Sequence, residues 1–376
     1  MINLSKPDIT KKEINSVLNV LETPYLALGP KLKEFEKKFA DYIGSRYATA
    51  VNSGTSGLHL LIRALGIKKG DEVITTPFSF IASANCILYE DAKPVFVDID
   101  PLTLNIDPQK IEKAITKRTK AVIIVDIFGH PADWSPILKI ARKHNLKIIE
   151  DSCEALGAEY KEKKCGNFGD AAVFAFYPNK QMTTGEGGMI VTDNKKISEM
   201  CQSMHNQGRK VKDGKWLEHV RLGYNYRMSD IQAAIGITQL ERIKKILEKR
   251  ERVAEMYNKK LADLEKEGLI KLPYIAAWAK ISRFVYVIQL TKNFTRKDRD
   301  QIIKKLQKAG IQSNNYFQCI HLQPFYRRLF NFKRGDFPIA ESISNRTIAL
   351  PFYNNLTEKE IKYIVKNLKK ILLKKQ

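Results

Sequence analysis

Three short stretches of the chain carry residue types that could do chemistry together. The first is Val51-Asn52-Ser53-Gly54-Thr55-Ser56-Gly57-Leu58. It follows an apolar run and opens a helical pattern. Small residues let the backbone close on a ligand, and the free N–H groups at a helix start favour an anion. Thr55 and Ser56 add hydroxyl donors. The same residues equally suit an ordinary Ser/Thr helix cap. The stretch is not a P-loop, because no Gly-Lys-Ser/Thr follows. The second stretch is Lys147-Ile148-Ile149-Glu150-Asp151-Ser152-Cys153-Glu154. Asp151 ends an apolar strand pattern, where a carboxylate is partly desolvated. It either caps the next turn or pairs with a cation at the sheet edge, such as the protonated pyridine nitrogen of a cofactor. The third runs from Phe174 through Tyr177-Pro178-Asn179-Lys180 to Gly185-Glu186-Gly187-Gly188. One Lys in a Lys-rich chain means little. A Lys held between a strand end and a Gly-rich turn is different, because desolvation there lowers its pKa and frees its amine for carbonyl chemistry.

The elements around these stretches must place them together. Short β-rich runs, Tyr47–Val51, Glu72–Thr75, Val95–Val97, Ala121–Val125 and Lys147–Ile149, alternate with helical patterns at Ser56–Leu65, Ser79–Tyr89, Pro108–Ile115 and Pro136–His144. Strands alternating with helices predict a mainly parallel sheet covered on both faces. Such sheets bind ligands at the carboxyl ends of their strands. A helix over Ile9–Leu21 places Ile14, Val17, Leu18 and Leu21 on one face, and another spans Lys31–Tyr42. One long helical pattern runs from Ser229 to about Glu265 and bridges out of the large domain. Beyond it a strand over Phe284–Leu290 and helices near Arg296–Lys308 and Glu358–Leu373 read as a smaller α+β domain. The expected division is 1–250 for the large domain and 251–376 for the small one.

Composition sets outer limits. The 376 residues are 44% hydrophobic and 28% charged, which excludes a disordered or fibrous chain. No apolar run approaches the roughly 18 residues of a membrane span. The N-terminal MINLSKPDITKKE has no apolar core and does not read as a secretory leader. The five Cys are scattered and form no C-x-x-C pair, and the six His have no helical ligand spacing. They predict reduced thiols, a cytoplasmic protein and no metal site. Lys plus Arg is 64 against 41 Asp plus Glu, a balance of +23. The excess is spread over helix faces, with a local peak at KNLKKILLKKQ that reads as a solvated face. That balance is compatible with nucleic acid, anionic membrane surfaces or phosphorylated substrates. No helix-turn-helix or aromatic-basic stacking motif supports a nucleic-acid binder.

The three stretches, with Asn225, resemble the DegT/DnrJ/EryC1/StrS family of pyridoxal-phosphate-dependent sugar aminotransferases. The resemblance runs from Pro7-Asp8-Ile9 to His321-Leu322-Gln323-Pro324-Phe325-Tyr326. Its most specific parts are Gly185-Glu186-Gly187-Gly188 and Leu222-Gly223-Tyr224-Asn225-Tyr226-Arg227-Met228-Ser229-Asp230-Ile231-Gln232. It implies the type I aminotransferase fold, an α/β architecture with a mainly parallel seven-stranded sheet sandwiched by helices and a smaller C-terminal α+β domain. It also implies a homodimer with shared active sites. Lys180 matches the lysine that binds pyridoxal 5'-phosphate as a Schiff base and shuttles the proton. Asp151 matches the carboxylate that keeps the pyridine nitrogen protonated. Gly54, Thr55 and Ser56 match the phosphate cup, and Phe80 matches a ring stacked on the pyridine, where an ordinary core Phe is the alternative. Asn225 matches a residue that reaches the phosphate from the partner subunit, and Arg227 is a candidate of the same kind or a loop Arg paired at the surface. His321 and Tyr326 fall in a stretch placed near the sugar, where a structural His is the alternative. Two positions depart from the family pattern: Ala175 stands where many members carry a phosphate-binding Ser, and Glu154 where many carry Gln against the cofactor's phenolic oxygen. The implied reaction moves an amino group from L-glutamate to a keto carbon of a nucleotide-linked deoxysugar, for surface polysaccharide or glycan synthesis. The alternatives are a sugar dehydratase of the same fold, which would replace the lysine with His, and a non-catalytic regulator. Lys180 and Asp151 argue against both.

Overall fold

The computed structural model describes residues 1–210 and 218–373. Its floor is a seven-stranded sheet in the order Tyr47–Val51, Gly188–Thr192, Ala171–Ala175, Lys147–Asp151, Thr119–Val125, Glu72–Thr75, Lys93–Phe96. Gly188–Thr192 runs antiparallel to both neighbours, and the other pairs are parallel. The strands alternate between two faces, as a period of two requires. Ile123, Ile149, Val173 and Ile190 pack beneath the helices Gly54–Ala64 and Lys195–Met204. Ala172, Phe174, Met189 and Val191 face the helices Pro30–Ile43 and Asp230–Glu241. Val122, Ile124 and Ile148 meet the helix Trp134–Lys143. Both faces are therefore apolar, and burying each large side chain stabilises by roughly 1.5–3 kcal/mol.

A three-stranded antiparallel sheet, Ile270–Lys271, Tyr286–Leu290 and Thr347–Leu350, forms the small lobe. It packs with the helices Arg296–Lys308 and Glu358–Leu373 and with Val253 to Leu264 of the long helix. The basic C-terminal pattern thus lies on a helix whose Ile361, Ile364, Leu368 and Leu372 are buried. Its last three residues lie outside the described residues.

Four local features differ from the sequence pattern. The helical run from Ser229 is two helices, Asp230–Glu241 and Ile243–Lys266, meeting at Arg242. Arg242 turns its guanidinium onto Asp8, at 3.1 Å, and onto Glu13. Residue 250 lies inside the second helix, whose Ile243 and Ile246 join the large core while Val253 onward joins the small one. The chain start also crosses over, with Ile2 bridging Ile311 of the small lobe. The helix expected over Ser79–Tyr89 begins only at Ala82, because Ser79 and Phe80 turn into the site. Pro108–Ile111 is a single α turn followed by a 3₁₀ turn at Glu112–Ala114.

The first helix, Lys11–Leu21, holds a further difference. Its capping box of Thr10 and Glu13 forms, and it buries Glu13 and Val20. Ile14, Leu18 and Leu21 are instead exposed, each by about half its surface. An apolar stripe of this kind needs another surface to cover it.

Behind the strand Lys147–Asp151 lies a fully buried acid pair that no motif announced. Asp126 Oδ1 accepts from Ala132 N at 2.9 Å, and Glu150 accepts from Gly166 N and from Phe168 N at 3.0 Å. Ser152 Oγ lies 3.0 Å from Asp126 Oδ2 and 2.9 Å from Glu150 Oε1. Cys165 completes a cluster within 4.8 Å. One hydroxyl has one hydrogen, so Ser152 can donate to only one of the two carboxylates at a time. Burial is the first influence on both carboxyls and raises both pKa values, and the Glu150 charge adds to the rise at Asp126.

The folded state therefore keeps a proton that the unfolded chain releases. This contribution is complete below the ordinary carboxylate range and fades as pH rises toward the raised values, by about 1.4 kcal/mol per pH unit for one proton. Asp126→Asn replaces the protonated acid with a neutral amide. From about pH 5 to 8, above the unfolded carboxylate pKa, wild-type thermal stability should fall relative to Asp126→Asn. Parallel pH courses for the two proteins would show that the pair holds no extra proton.

Candidate active site

The carboxyl ends of the parallel strands open into a cavity of about 490 Å³. Its back wall is the turn from the strand Tyr47–Val51 into the helix Gly54–Ala64. Ser53 caps that helix, its Oγ accepting from Ser56 N at 3.1 Å. Glycine is needed here for room. A Cβ on Gly54 would stand 2.8 Å from Cys153 Sγ and 2.9 Å from Ala175 Cβ. A Cβ on Gly188, in the adjacent strand, would meet Ser53 C at 2.7 Å. The helix start is pressed onto the sheet, with the N–H groups of Gly54 and Thr55 left for a ligand. Gly54 and Thr55 line the cavity. Ser56 does not, because its Oγ donates to Asn52 Oδ1 at 2.6 Å. In this chain Ser56 shapes the cup from behind.

Asp151 ends its strand at the cavity floor, 4% exposed. Ser83 Oγ donates to its Oδ2 at 2.7 Å, and Cys153 N to its Oδ1 at 3.3 Å. Ser79 Oγ lies 3.0 Å from Ser83 Oγ and extends the chain. Two short hydroxyl side chains, Ser79 in the turn before Ala82–Leu88 and Ser83 in that helix's first turn, thus aim the carboxylate. Phe80, on the same turn, is 58% exposed and lines the cavity. A half-exposed ring at a cavity wall is placed to stack on a flat ligand, not to fill a core.

Lys180 enters from the opposite side. Its N donates to Tyr177 O at 2.9 Å, which closes a turn just past the strand Ala171–Ala175. Its carbonyl accepts from Arg250 Nη2 at 2.8 Å, and the same guanidinium donates from Nη1 to Phe284 O at 3.2 Å. Gln181 Nε2 donates to Glu154 O at 2.6 Å and Ser282 O at 2.7 Å. The lysine backbone is therefore tied to the long helix and to the start of the small lobe. Its Nζ lies 4.1 Å from the centroid of Phe284 and 3.6 Å from Glu154 Oε1.

Glu154 is buried, and Phe128 N donates to its Oε2 at 2.9 Å. Phe128 holds the left-handed φ of 55° that points this N–H inward. Burial is the first influence on the Glu154 carboxyl and raises its pKa. Lys180 pulls the other way, and Asp151 adds to the rise. Ala175 lines the cavity next to Gly54, with a methyl group where a hydroxyl would otherwise face the cup.

Of the expected residues, the cavity gathers Gly54, Thr55, Phe80, Asp151, Glu154, Ala175 and Lys180. Asn225 and Arg227 lie outside it. Asn225 is exposed and its carbonyl meets Asn52 Nδ2 at 3.5 Å, while Arg227 Nη1 donates to Asn206 Oδ1 at 3.0 Å. His321 and Tyr326 also lie outside, and for them the expectation of a sugar contact is corrected. His321 is fully buried between Phe332 and Phe337, with its Nε2 3.1 Å from Glu341 Oε1. Tyr326 is fully buried and its hydroxyl donates to Asn85 Oδ1 at 2.8 Å. Tyr326 ties its segment to the helix Ala82–Leu88, while His321 packs its loop against Phe332, Phe337 and Glu341. The sequence reading missed Ser83, Asn179, Phe284 and Tyr316, which line the cavity, and Arg250, which holds it. Only the Ser79-Phe80-Ile81-Ala82-Ser83 run carried a signal, since Ser83 follows the expected Phe80 by one short turn.

A family model described as the DegT/DnrJ/EryC1/StrS aminotransferase family matches residues 7–369. This chain belongs to that family. It is similar to a GDP-perosamine synthase of Caulobacter vibrioides, 41% identical over 373 residues, covering 99% of this chain and 98% of the relative. Among solved structures it is similar to Helicobacter pylori PseC, an aminotransferase involved in pseudoaminic acid biosynthesis, with TM-score 0.92, 32% identity and 99% of each chain covered. It is also similar to the pyridoxal-phosphate form of a putative sugar aminotransferase from Streptococcus pneumoniae, with TM-score 0.93, 30% identity and 99% of each chain covered.

The cofactor of this aminotransferase is pyridoxal phosphate, and the cavity fits it. The helix start at Gly54 and Thr55 offers N–H groups to a phosphate, and Asp151 offers a fixed carboxylate to a pyridinium nitrogen. Phe80 offers a ring face and Lys180 an amine. Asn179, beside Lys180, has a buried Oδ1 with no hydrogen-bond partner among the described residues. When bound, the cofactor supplies an electron sink for breaking and making bonds at the amino-bearing carbon. With the cofactor bound, Asp151 would hold the proton on the ring nitrogen and Lys180 Nζ would be placed to carry a proton.

Two predictions follow from this geometry. Borohydride should fix the cofactor to Lys180 and to no other lysine, and Lys180→Ala should abolish transamination with the melting curve kept; peptide mapping that found another lysine would overturn the assignment. Glu154 carries a raised pKa, so its proton is kept through the ordinary carboxylate range and lost as pH rises above it. Glu154→Gln should therefore delete one step from the pH titration of the cofactor's absorption band. Superimposable titrations would show that Glu154 does not report to the cofactor.

Proposed function

We propose that the enzyme transfers the amino group of L-glutamate to a keto carbon of a nucleotide-linked deoxysugar. The products are 2-oxoglutarate and an amino sugar for surface polysaccharide or glycan synthesis. The observation that carries this reading is the free amine of Lys180, 3.6 Å from buried Glu154 and facing the strand-end carboxylate of Asp151 across one cavity. A dehydratase of this fold would lack that amine. The sugar class is supported by the GDP-perosamine synthase and PseC likenesses. The five free cysteines, four of them buried, suit a cytoplasmic enzyme.

The proposed active form is a homodimer with shared sites. Ile14, Leu18 and Leu21 offer one chain's uncovered apolar face, and Leu222 in the Asn225 loop is 68% exposed. Asn225 stands outside its own chain's cavity, where a partner's cup is its available target. Lys180 and Asp151 act within one chain, and Asn225 acts across.

Isotope-labelled glutamate nitrogen, offered with a panel of nucleotide-linked 3-keto and 4-keto sugars, should appear in one amino sugar by mass spectrometry. Labelled alanine giving product while glutamate gives none would overturn the donor, and no product with any keto sugar would overturn the substrate class. Mixing inactive Lys180→Ala with Asn225→Ala should restore activity through mixed dimers that have one intact site. No recovery under verified subunit exchange would exclude a shared site.

A further inference from the structure

A second, smaller cavity of about 100 Å³ lies in the small lobe. Four arginines line it. Arg296 and Arg299 come from the first turn of the helix Arg296–Lys308, Arg327 from the helix Pro324–Phe330, and Arg334 from the loop that follows. The one acid among the lining residues is Glu341. Its carboxylate is committed elsewhere: it accepts from Gly335 N at 2.8 Å and Phe337 N at 3.3 Å, and lies 3.1 Å from His321 Nε2. Asp300, outside the lining, pairs with Arg299 at 2.7 Å and with Arg296 at 3.8 Å. Arg327 and Arg334 are exposed and have no acidic partner within salt-bridge distance among the described residues.

Arg299 is the fixed element. It is 4% exposed, its Nε donates to Asp300, and its Nη1 donates to Ser344 O at 3.0 Å. Two bonds from one planar guanidinium hold its orientation against the cavity wall. Neutral amides of Gln318, Gln323 and Asn345 complete the lining. Four cations around a concave polar space, with Asp300 shared by Arg296 and Arg299 and the Glu341 carboxylate held by backbone N–H groups, leave Arg327 and Arg334 to receive a compact multiply charged oxyanion.

The cavity also has a structural link to the active site. Tyr316 and Phe317 line the cofactor cavity, while Asn315, Gln318 and Cys319 line the arginine cavity. One short stretch of chain therefore walls both. Its Phe317 stacks on Phe128 with centroids 5.4 Å apart, and Phe128 N donates to Glu154.

We propose that the four-arginine cavity binds a phosphate or diphosphate group, either the charged part of the nucleotide-linked substrate or a free inorganic anion. The first source rests on the sugar-nucleotide reading above; the anion site itself does not. Its size admits the phosphates and leaves a nucleoside outside.

Calorimetry on the cofactor-loaded enzyme tests this without a keto sugar or amino donor, so it is independent of the reaction. The probes are inorganic pyrophosphate and GDP. The test variant is Arg327→Ala with Arg334→Ala, both exposed positions, and the control is Arg46→Ala with Arg252→Ala, which removes equal charge at exposed sites elsewhere. Retained cofactor absorption verifies folding. Pyrophosphate should bind wild type and the control alike and bind the test variant at least about ten-fold more weakly. Arg327→Lys with Arg334→Lys should recover part of the loss. If GDP loses the same factor and competes with pyrophosphate, the anion belongs to the nucleotide. If pyrophosphate alone is weakened, the site serves a free anion. Equal weakening in test and control, or no pyrophosphate binding at millimolar concentration, overturns the proposal.

Discussion

A lysine amine that must react with a carbonyl has to sit where water is scarce, on a backbone that does not move. That requirement organises the centre of this structure. Lys180 Nζ rests 4.1 Å from the Phe284 ring centroid and 3.6 Å from a buried carboxyl, and neither neighbour belongs to its own turn. Arg250 supplies the rigidity. Its guanidinium is buried and has no carboxylate partner within salt-bridge distance among the described residues, and burial lowers its pKa to about 10. It is stabilised by two backbone carbonyls, those of Lys180 and Phe284. A buried cation on neutral acceptors is costly. Here it joins the catalytic turn, the long helix and the small lobe in one contact. Any movement of the small lobe is thereby felt at the lysine.

The same economy of contacts shapes the floor. Glu150 and Asp151 are consecutive, so the strand sends them to opposite faces. Asp151 meets the cavity, while Glu150 joins Asp126 and Ser152 in the layer behind. Two more ionised carboxylates behind Asp151 would repel its charge. A proton held on the buried pair removes one of them. The charge that matters for a pyridinium nitrogen is thus concentrated on the oxygens that Ser83 and Cys153 orient.

Local pattern made much of this legible. The strands are apolar on both faces, and the Gly-rich turns and strand-end polar residues stand at sharp breaks in those runs. That sufficed for the parallel sheet and for Gly54, Asp151 and Lys180. What stayed hidden depends on contacts distant in sequence. Arg250 lies 70 residues from the lysine carbonyl it holds. Ser83 lies 68 residues from Asp151. His321 and Tyr326 failed in the opposite sense. Polar aromatic residues in a loop look available, but a buried hydrogen bond to Glu341 or Asn85 satisfies them in a packed wall. The helix Lys11–Leu21 forms where expected, but the exposure of its apolar stripe was not legible. Periodicity shows that an apolar face exists, but not whether the same chain covers it.

The charge balance of +23 gains meaning only through placement. Most of the basic residues are Lys, many of them on helix faces, flexible and hydrated, where they raise the general potential without selecting a ligand. The four arginines of the small-lobe cavity differ because their planar groups converge and one is held in place by Asp300 and Ser344. General potential draws any anion toward the enzyme, whereas convergent guanidinium groups distinguish a phosphate from a carboxylate by geometry. The stretch 315–319 carries that distinction to the cofactor cavity, since Tyr316 and Phe317 line the cofactor cavity while Asn315, Gln318 and Cys319 line the other. Filling the arginine cavity would fix one side of this wall and restrict Phe317 on the other. Phe317 packs on Phe128, whose N–H holds Glu154 beside Lys180. A continuous line of packed groups therefore joins the place where an anion would bind to the amine that does the chemistry.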